Sequence, residues 1–242
     1  MTTVIIPAGP PTTDPIYPTW RPFTSAEYQR LSEIGVLRAD EPVELRDGAI
    51  IQRFDPAQRR LFTATEYDCM IAAGLLLDDE RVELIAGEIV EMCPIGSRHA
   101  VCVDKVSQLL IRQVTEAINV RVQGPLRLTD TWEPEPDILV LQHPADDYTN
   151  ALPTPSDVLL LIEVSDSTLA YDRYTKQAMY AQNGIRELWI VNLVSDILEI
   201  YTEPGNGTYS MVRVAQRGEV VQPTLLPEVT LQVDAMLLRP FG

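Results

Sequence analysis

Two short, unbroken apolar runs stand out in the second half of the chain, at residues 138–141 and 158–162. Continuous runs of branched apolar residues of this length are typical of strands that are buried on both faces. Asp137 directly precedes the first run, and Glu163 directly follows the second. Antiparallel pairing would bring the start of one strand beside the end of the other, so we expect the two acids to be neighbours at the edge of a buried sheet.

Further elements are predicted on both sides of these runs. Apolar residues with helical spacing predict an amphipathic first helix, and a second helix is predicted to stop at Asn183-Gly184. The predicted elements are helices at 97–118 and about 169–182, a strand at 120–122 that reaches Leu128, and a strand pair at 188–191 and 198–201. The order helix, strand, strand, strand, helix, strand predicts an α/β fold in which helices flank a mixed β-sheet.

An internal repeat precedes this region. The segment Phe23-Thr24-Ser25-Ala26-Glu27-Tyr28 recurs at an offset of 39 residues as Phe62-Thr63-Ala64-Thr65-Glu66-Tyr67. Each copy predicts a helix with a Ser/Thr cap, a Gly stop and a β-hairpin that turns at Asp47-Gly48 or Ala86-Gly87. Two copies are too few for a solenoid, which takes about three or more repeats, so we interpret them as a partial duplication.

The repeat divides the chain into three expected segments. Residues 1–22 contain six prolines and no periodicity, which indicates an extended or disordered arm. Residues 23–59 are the partial duplicate of the helix-hairpin, which either covers a sheet edge or offers a surface for self-association. Residues 60–242 are expected to form the main domain, because the second copy runs directly into it.

Composition and charge narrow the function classes. The net charge of −16 and the pI of about 4.4 work against nucleic-acid binding, because non-specific contact with phosphate takes clustered Lys and Arg. Cys69, Cys93 and Cys102 have no CxxC spacing, so we expect no zinc knuckle or disulfide framework, and reduced thiols favour the cytoplasm. No run approaches the roughly 18 apolar residues of a membrane span, and no basic region precedes an apolar core as in a secretory signal.

The expected pair of carboxylates has a chemical consequence. Asp137 and Glu163 would repel each other, and each would lose hydration energy on the order of several kcal/mol on burial. A divalent cation between them would offset both effects. The alternative interpretation is that each acid simply ends its strand in solvent, and the pattern alone leaves both open.

A series of motifs also runs in order along the chain. It comprises residues 81–92, Arg98-His99, residues 133–137, residues 162–167, Tyr171-Asp172-Arg173 with Lys176 and Tyr180, and Gly184 with residues 188–191. This series resembles the Uma-two (Uma2) endonuclease family of the PD-(D/E)XK nuclease superfamily, over roughly residues 60–235. The resemblance implies a restriction-endonuclease-like fold in which Asp137 is the motif aspartate and Glu163 the motif acid.

One position departs from the superfamily pattern. Ser165 stands where the (D/E)XK lysine is expected, and the resemblance implies that the lysine has moved to the following helix as Lys176. Lys176 follows Glu163 by 13 residues, enough for a turn of chain and one or two helical turns. Tyr180 would share its helix face at i+4. The alternative interpretations are that Lys176 is an ordinary exposed lysine of the helix and that Tyr180 is an aromatic residue that only packs in the core.

The resemblance further implies a metal site. Mg²⁺ or Mn²⁺ would be held by Asp137 and Glu163, with Glu83 as a third ligand, directly or through water. Lys176 would orient the nucleophile or stabilise the charge on the pentavalent phosphate. The candidate catalytic residues are therefore Asp137, Glu163, Lys176 and Glu83, and the candidate substrate-binding residues are His99, Arg98, Ser165 and Tyr180. Glu83 also fits plain strand alternation, and His99 also fits a capping or packing role.

Two function hypotheses from different classes follow. The first is a metal-dependent endonuclease that acts on DNA, with a homodimer expected because many nucleases of this fold cut two strands with two subunits. The second, which the acidic composition favours, is a non-catalytic module that keeps the fold and binds a partner protein through the duplicated segment. The intact set of acids and lysine favours the first. RNA and branched or single-stranded ends stay open as substrates, because a fold does not fix a substrate.

Overall fold

The computed structural model describes residues 18–77, 79–144 and 147–239. Most of the arm predicted over residues 1–22 therefore lies outside the described residues. The chain forms two compact units. Among the described residues, the smaller unit comprises 18–92 and 127–134, and the larger comprises 93–126 and 135–239. The boundary after residue 92 differs from the expected division at residue 60. That residues 60–242 form one folding domain stays a prediction.

Over its described residues, the smaller unit consists of two helices and two three-stranded sheets. Its elements are β1 (Thr19–Trp20), α1 (Ser25–Glu33), β2 (Val43–Arg46), β3 (Ala49–Gln52), β4 (Asp55–Arg59), α2 (Ala64–Ala72), β5 (Val82–Ile85) and β6 (Glu88–Glu91). The sheet orders are β1-β6-β5 and β2-β3-β4. Each helix begins with a capping box, in which Thr24 pairs with Glu27 and Thr63 with Glu66. One apolar core draws on both copies of the repeat.

The hairpin turns form where the sequence predicts them. Asp47-Gly48 joins β2 to β3, and Ala86-Gly87 joins β5 to β6. All four residues have positive φ, between 50° and 81°, as a two-residue type I′ turn requires. Each copy therefore contains the expected capped helix and hairpin, while their origin by duplication stays a prediction.

The larger unit is built on one six-stranded sheet. Its helices are α3 (Ser97–Ile111), α4 (Leu169–Tyr171), α5 (Gln177–Gln182) and α6 (Val233–Met236), with a π-helical turn at Asp172–Lys176 and a 3₁₀ turn at Pro155–Asp157. Its strands are β7 (Ile118–Val122), β8 (Ile138–Gln142), β9 (Val158–Ser165), β10 (Glu187–Asn192), β11 (Ile197–Gly205), β12 (Thr208–Ala215), β13 (Val220–Val221) and β14 (Leu231–Gln232). The last two strands form a separate pair.

The strand order in this sheet is β12-β11-β10-β9-β8-β7, and only β9 and β10 run parallel. The predicted mixed sheet with flanking helices is therefore confirmed. Alternate residues of the central strands, such as Val140, Ile162 and Trp189, form the main core with α3. The opposite face carries Glu163 and Glu199, whose side chains contact the helical segment 169–182.

Two predicted elements are shorter than expected. The helix predicted over 97–118 ends at Ile111, because Ile118 already pairs with Gln142 at the start of β7. Val114 and Ile118 still pack against the core, so the apolar spacing continues past the end of the helix. The strand expected to reach Leu128 ends at Val122, because Gln123 adopts a positive φ of 47°. No helix in the described ranges is both long and apolar enough to span a bilayer.

Candidate active site

The two central acids are neighbours in the structure. Strands β8 and β9 pair antiparallel with Ile138 opposite Ile162, so Asp137 lies across from Glu163. The Asp137 backbone N–H points at Glu163 Oε2 at 3.4 Å, and both residues are buried. The predicted strand pairing is thus confirmed, and burial excludes the alternative that each acid ends its strand in solvent.

Asp137 is surrounded by donors that favour its ionised form. His99, in the first turn of α3, lies with Nε2 2.9 Å from Asp137 Oδ2, and the backbone N–H of Val164 donates to the same oxygen at 2.8 Å. Burial alone would raise the pKa of Asp137. The hydrogen bond and charge of His99, the charge of Lys176 and the Val164 N–H outweigh burial and lower the pKa. Asp137 is therefore a carboxylate at neutral pH.

Glu163 accepts hydrogen bonds from two side chains of the helical segment 169–182. Lys176 Nζ donates to Glu163 Oε1 at 3.0 Å, and the Tyr180 hydroxyl donates to the same oxygen at 2.6 Å. Burial raises the pKa of Glu163, the charges of Asp137 and Asp172 raise it further, and Lys176 and Tyr180 only partly oppose this. Desolvation and the neighbouring acids therefore disfavour the charged form of Glu163, and a cation bound beside it would offset both effects.

The lysine reaches the site through an irregular helix. Residues 172–176 form a π turn between α4 and α5, and both Asp172 and Lys176 are buried. Such single π turns occur frequently at functional sites. Asp172 Oδ2 accepts hydrogen bonds from the hydroxyls of Ser165 and Thr168, each at 2.7 Å. Burial raises the pKa of Asp172, while the Lys176 charge and the two hydroxyls lower it.

The sequence interpretation missed Asp172 as a member of this cluster. Its hydrogen bond with Ser165 joins the end of β9 to the helical segment that carries Lys176. The available signal was the spacing, because Asp172 precedes Lys176 by four residues and an i, i+4 pair shares one helix face.

A buried ion pair fixes the same helical segment to the sheet. Arg173 donates from Nε to Glu199 Oε2 at 2.9 Å and from Nη2 to Oε1. Asn192 and Tyr201 also donate to Glu199, each at 2.7 Å. Glu163 and Glu199 lie in one row across the sheet, because both oppose Ile190. One helix thus sets Lys176 and Arg173 against two acids of a single row.

Arg173→Ala is expected to lower the free energy of unfolding by about 2–3 kcal/mol, because it leaves the fully buried Glu199 without its cation. Asn192 and Tyr201 continue to donate, which keeps the loss below the full cost of an unpaired buried charge. Urea denaturation measures the change. Arg213→Ala is the matched control, since its pair with Glu219 is exposed and contributes roughly 0–1 kcal/mol. Equal losses in the two variants would contradict the prediction.

The remaining candidate residues occupy different places. Arg98, 45% exposed at the start of α3, donates to the Leu193 carbonyl at 3.1 Å and lies 3.5 Å from Asp166 Oδ1. Ser165 and Tyr180 are fully buried, and their hydroxyls donate to Asp172 and Glu163. Their role in substrate binding stays a prediction. Glu83 is buried in β5 of the smaller unit. Its place as a third metal ligand stays a prediction.

The acids fit a hard divalent cation by donor chemistry. Among residues 18–77, 79–144 and 147–239, no group of three or more His, Cys, Asp or Glu side chains is arranged to hold a metal ion. Mg²⁺, however, is commonly held by only one or two carboxylates and completes its octahedron with waters and substrate phosphate. Asp137 and Glu163 supply such a pair.

Comparisons with known proteins identify the family and the fold. The family model described as "Uma2: Putative restriction endonuclease" matches residues 64–234. A crystal structure of a putative nuclease belonging to DUF820 from Anabaena variabilis is similar, with a TM-score of 0.57 and 16% sequence identity, over 72% of this chain and 97% of that chain. At that identity the likeness shows the fold, which is restriction-endonuclease-like. A search of curated proteins found no match.

Proposed function

This chain belongs to the Uma2 family of putative restriction endonucleases, and from that membership we propose that it is a divalent-metal-dependent endonuclease that hydrolyses phosphodiester bonds in DNA. One observation supports the proposal: two buried acids, Asp137 and Glu163, lie opposite each other at the paired strands β8 and β9, with the Asp137 backbone N–H pointing at Glu163 Oε2 and the buried Lys176 donating to Glu163 Oε1. Burying two acids side by side costs free energy, and such arrangements occur most often at functional sites.

In this proposal Asp137 and Glu163 would hold Mg²⁺ or Mn²⁺, and Glu83 would complete the set. When bound, the ion supplies Lewis-acid charge that activates water and neutralises the attacked phosphate. The chain contributes the arrangement of donors. His99 keeps Asp137 ionised and oriented, and Tyr180 fixes the Glu163 carboxylate while leaving Oε2 directed at the Asp137 backbone.

Lys176 would stabilise the negative charge that develops on the phosphate. It is a compact point charge, already desolvated and positioned by Glu163, so little reorganisation is needed when the phosphate charge forms. Arg98 is the accessible cation at the start of α3 and would contact a backbone phosphate. Ser165 would act through Asp172, as a positioning residue for the helix that carries Lys176.

The second candidate function is a non-catalytic module that binds a protein partner. The net charge of −16 favours it, because long-range repulsion opposes the approach of a polyanion. The two functions differ in what the buried acids do. In a nuclease they bind a metal and act on a substrate, whereas a module that only keeps the fold has no need of metal.

The test is cleavage of labelled double-stranded DNA, single-stranded DNA and RNA at low salt, each with Mg²⁺, with Mn²⁺ and with excess chelator. Low salt maximises contact between an acidic protein and nucleic acid. We expect cleavage of DNA with either metal and none with chelator. Preferential RNA cleavage would change the substrate class. No cleavage together with no heat of metal binding in calorimetry would favour the non-catalytic module.

We further propose that the active form is a homodimer, since two subunits can cut two strands. Light scattering at assay concentrations gives the mass directly. A monomeric mass combined with cleavage of both strands would contradict the dimer without affecting the nuclease proposal.

A further inference from the structure

The two copies of the repeat in the smaller unit exchange their leading strands. Strand β1, which leads into the first copy, pairs with β6 of the second copy, with Trp20 opposite Val90. Strand β4, which leads into the second copy, pairs with β3 of the first copy, with Arg59 opposite Ile51. At the offset of 39 residues these two pairings are equivalent. The exchange is therefore reciprocal.

Backbone hydrogen bonds repeat the same exchange one residue further on. The Arg21 N–H donates to the Ile89 carbonyl, and its equivalent Arg60 donates to the Ile50 carbonyl, both at 2.8 Å. Contacts within each copy repeat as well. The Phe23 N–H donates to the Gly48 carbonyl, as its equivalent in the second copy does to Gly87.

Two buried arginines clamp the copies to each other. Arg21 pairs with Glu27 of its own copy and with Glu80 of the other. Arg60 pairs with Glu66 of the second copy and, at 2.9 Å, with Glu41 of the first. Each arginine thus holds the capping glutamate of the helix that it precedes and a second acid across the interface.

Equivalent side chains also contact each other. The Phe23 and Phe62 rings have centroids 5.7 Å apart, and the Arg59 guanidinium lies 4.4 Å from the centroid of Trp20, its own equivalent residue. Together with the reciprocal strand pairings, these contacts place the residues beside a local two-fold axis that relates the copies. The interface is thus isologous, as in a two-fold symmetric dimer, although both halves belong to one chain.

We infer that the helix-hairpin of residues 58–91 carries an interaction surface whose fitting partner is another copy of the same helix-hairpin, and that residues 19–52 are that partner, supplied within the chain. The family model begins at residue 64, so the partner copy lies outside the part of the chain that matches the family. Reciprocal exchange of a leading strand covers one edge of each hairpin, at β6 and at β3, which an isolated hairpin would leave open. This inference does not depend on the proposed nuclease activity.

Hydrogen exchange on the full-length protein tests the reciprocity. Arg21→Ala weakens the attachment of β1 and is expected to speed amide exchange in β6, of the second copy, by about tenfold. Arg60→Ala is expected to speed exchange in β3, of the first copy, to a similar extent. Arg38→Ala, which removes only the exposed pair with Asp40, is the control and should change neither strand. Faster exchange confined to each arginine's own hairpin, or no change in either, would overturn the inference.

A nicked chain tests whether the first copy is held as a partner. A protease site inserted after Phe54, which is 85% exposed in the turn between β3 and β4, allows cleavage of the folded full-length protein. We expect the two pieces to elute together in gel filtration and to separate only on a denaturing gel. Pieces that separate under native conditions would overturn the inference, whatever the outcome of the cleavage assays on nucleic acid.

Discussion

Asp137→Asn is expected to lower metal-dependent cleavage by about 10³-fold or more, because the carboxylate that would bind the ion becomes neutral. The substitution keeps the size of the side chain and an oxygen that can accept from the Val164 N–H. The lowered pKa of Asp137 means that the folded protein favours its charge, so some stability is also lost. The measurement is single-turnover cleavage with Mn²⁺, beside the melting temperature with and without Mn²⁺.

The thermal shift separates loss of the metal from loss of the fold. A ligand that binds only the folded state raises the melting temperature, so the wild type should melt higher with Mn²⁺, whereas Asp137→Asn should not respond. Asp104→Asn is the matched control, since Asp104 is exposed on α3 of the same unit. Asp137→Asn with wild-type activity would reject the assigned site. A wild type that shows neither a metal shift nor cleavage would reject the nuclease itself.

The pairing of the two acids could be predicted from sequence because it depends on chain connectivity. One apolar run is preceded by an acid, and the other is followed by an acid. If the two strands pair antiparallel, a single register places these acids opposite each other. Residues 138–141 and 158–162 meet in that register, with Ile138 opposite Ile162. The hairpin turns could also be predicted from local sequence, since Gly48 and Gly87 adopt a positive φ freely and Asp47 tolerates it, whereas Ala86 adopts it against its intrinsic preference.

Contacts that depend on tertiary packing could not be predicted in this way. The spacing of apolar residues does not reveal the π turn at Asp172–Lys176. This turn nevertheless determines which side chains of the helical segment face the sheet. The bond between Ser165 and Asp172 joins a strand end to that helix, and neither residue alone signals it. The repeat was visible as a pattern, but pattern alone cannot tell which hairpin each leading strand joins.

Composition gives a further reason to regard Lys176 as special. Of the nineteen basic residues only Lys105 and Lys176 are lysines, and the others are arginines. Arginine forms the structural ion pairs, such as Arg60 with Glu66 and Arg173 with Glu199, because its planar guanidinium binds a carboxylate through two nitrogens. A lysine buried against Glu163 is therefore an exception within this chain, and a point charge is what a developing phosphate charge requires.

Lys176→Met is expected to lower the rate of the chemical step by about 10²–10³-fold while leaving the Mn²⁺-dependent thermal shift in place. Methionine nearly matches the length of the lysine side chain but carries no charge, and Tyr180 continues to donate to Glu163. Loss of Lys176 removes the main charge that lowers the pKa of Glu163, so a proton competes more strongly with the metal for this carboxylate, and the thermal shift is compared at saturating Mn²⁺. The measurements are single-turnover cleavage at saturating metal and the melting temperature with and without Mn²⁺.

Two further variants make the result for Lys176 specific. Lys105→Met removes the other lysine, whose ammonium donates to the Leu237 carbonyl, and should leave cleavage unchanged. Lys176→Arg keeps the charge but places a larger, planar group in a buried site, so we expect it to restore less than a tenth of the lost rate. The thermal shift separates metal binding from the chemical step. We expect Asp137→Asn to lose both cleavage and the Mn²⁺-dependent shift, whereas Lys176→Met loses cleavage alone. A Lys176→Met protein that cleaves at the wild-type rate would show that this buried lysine only balances the charge of Glu163.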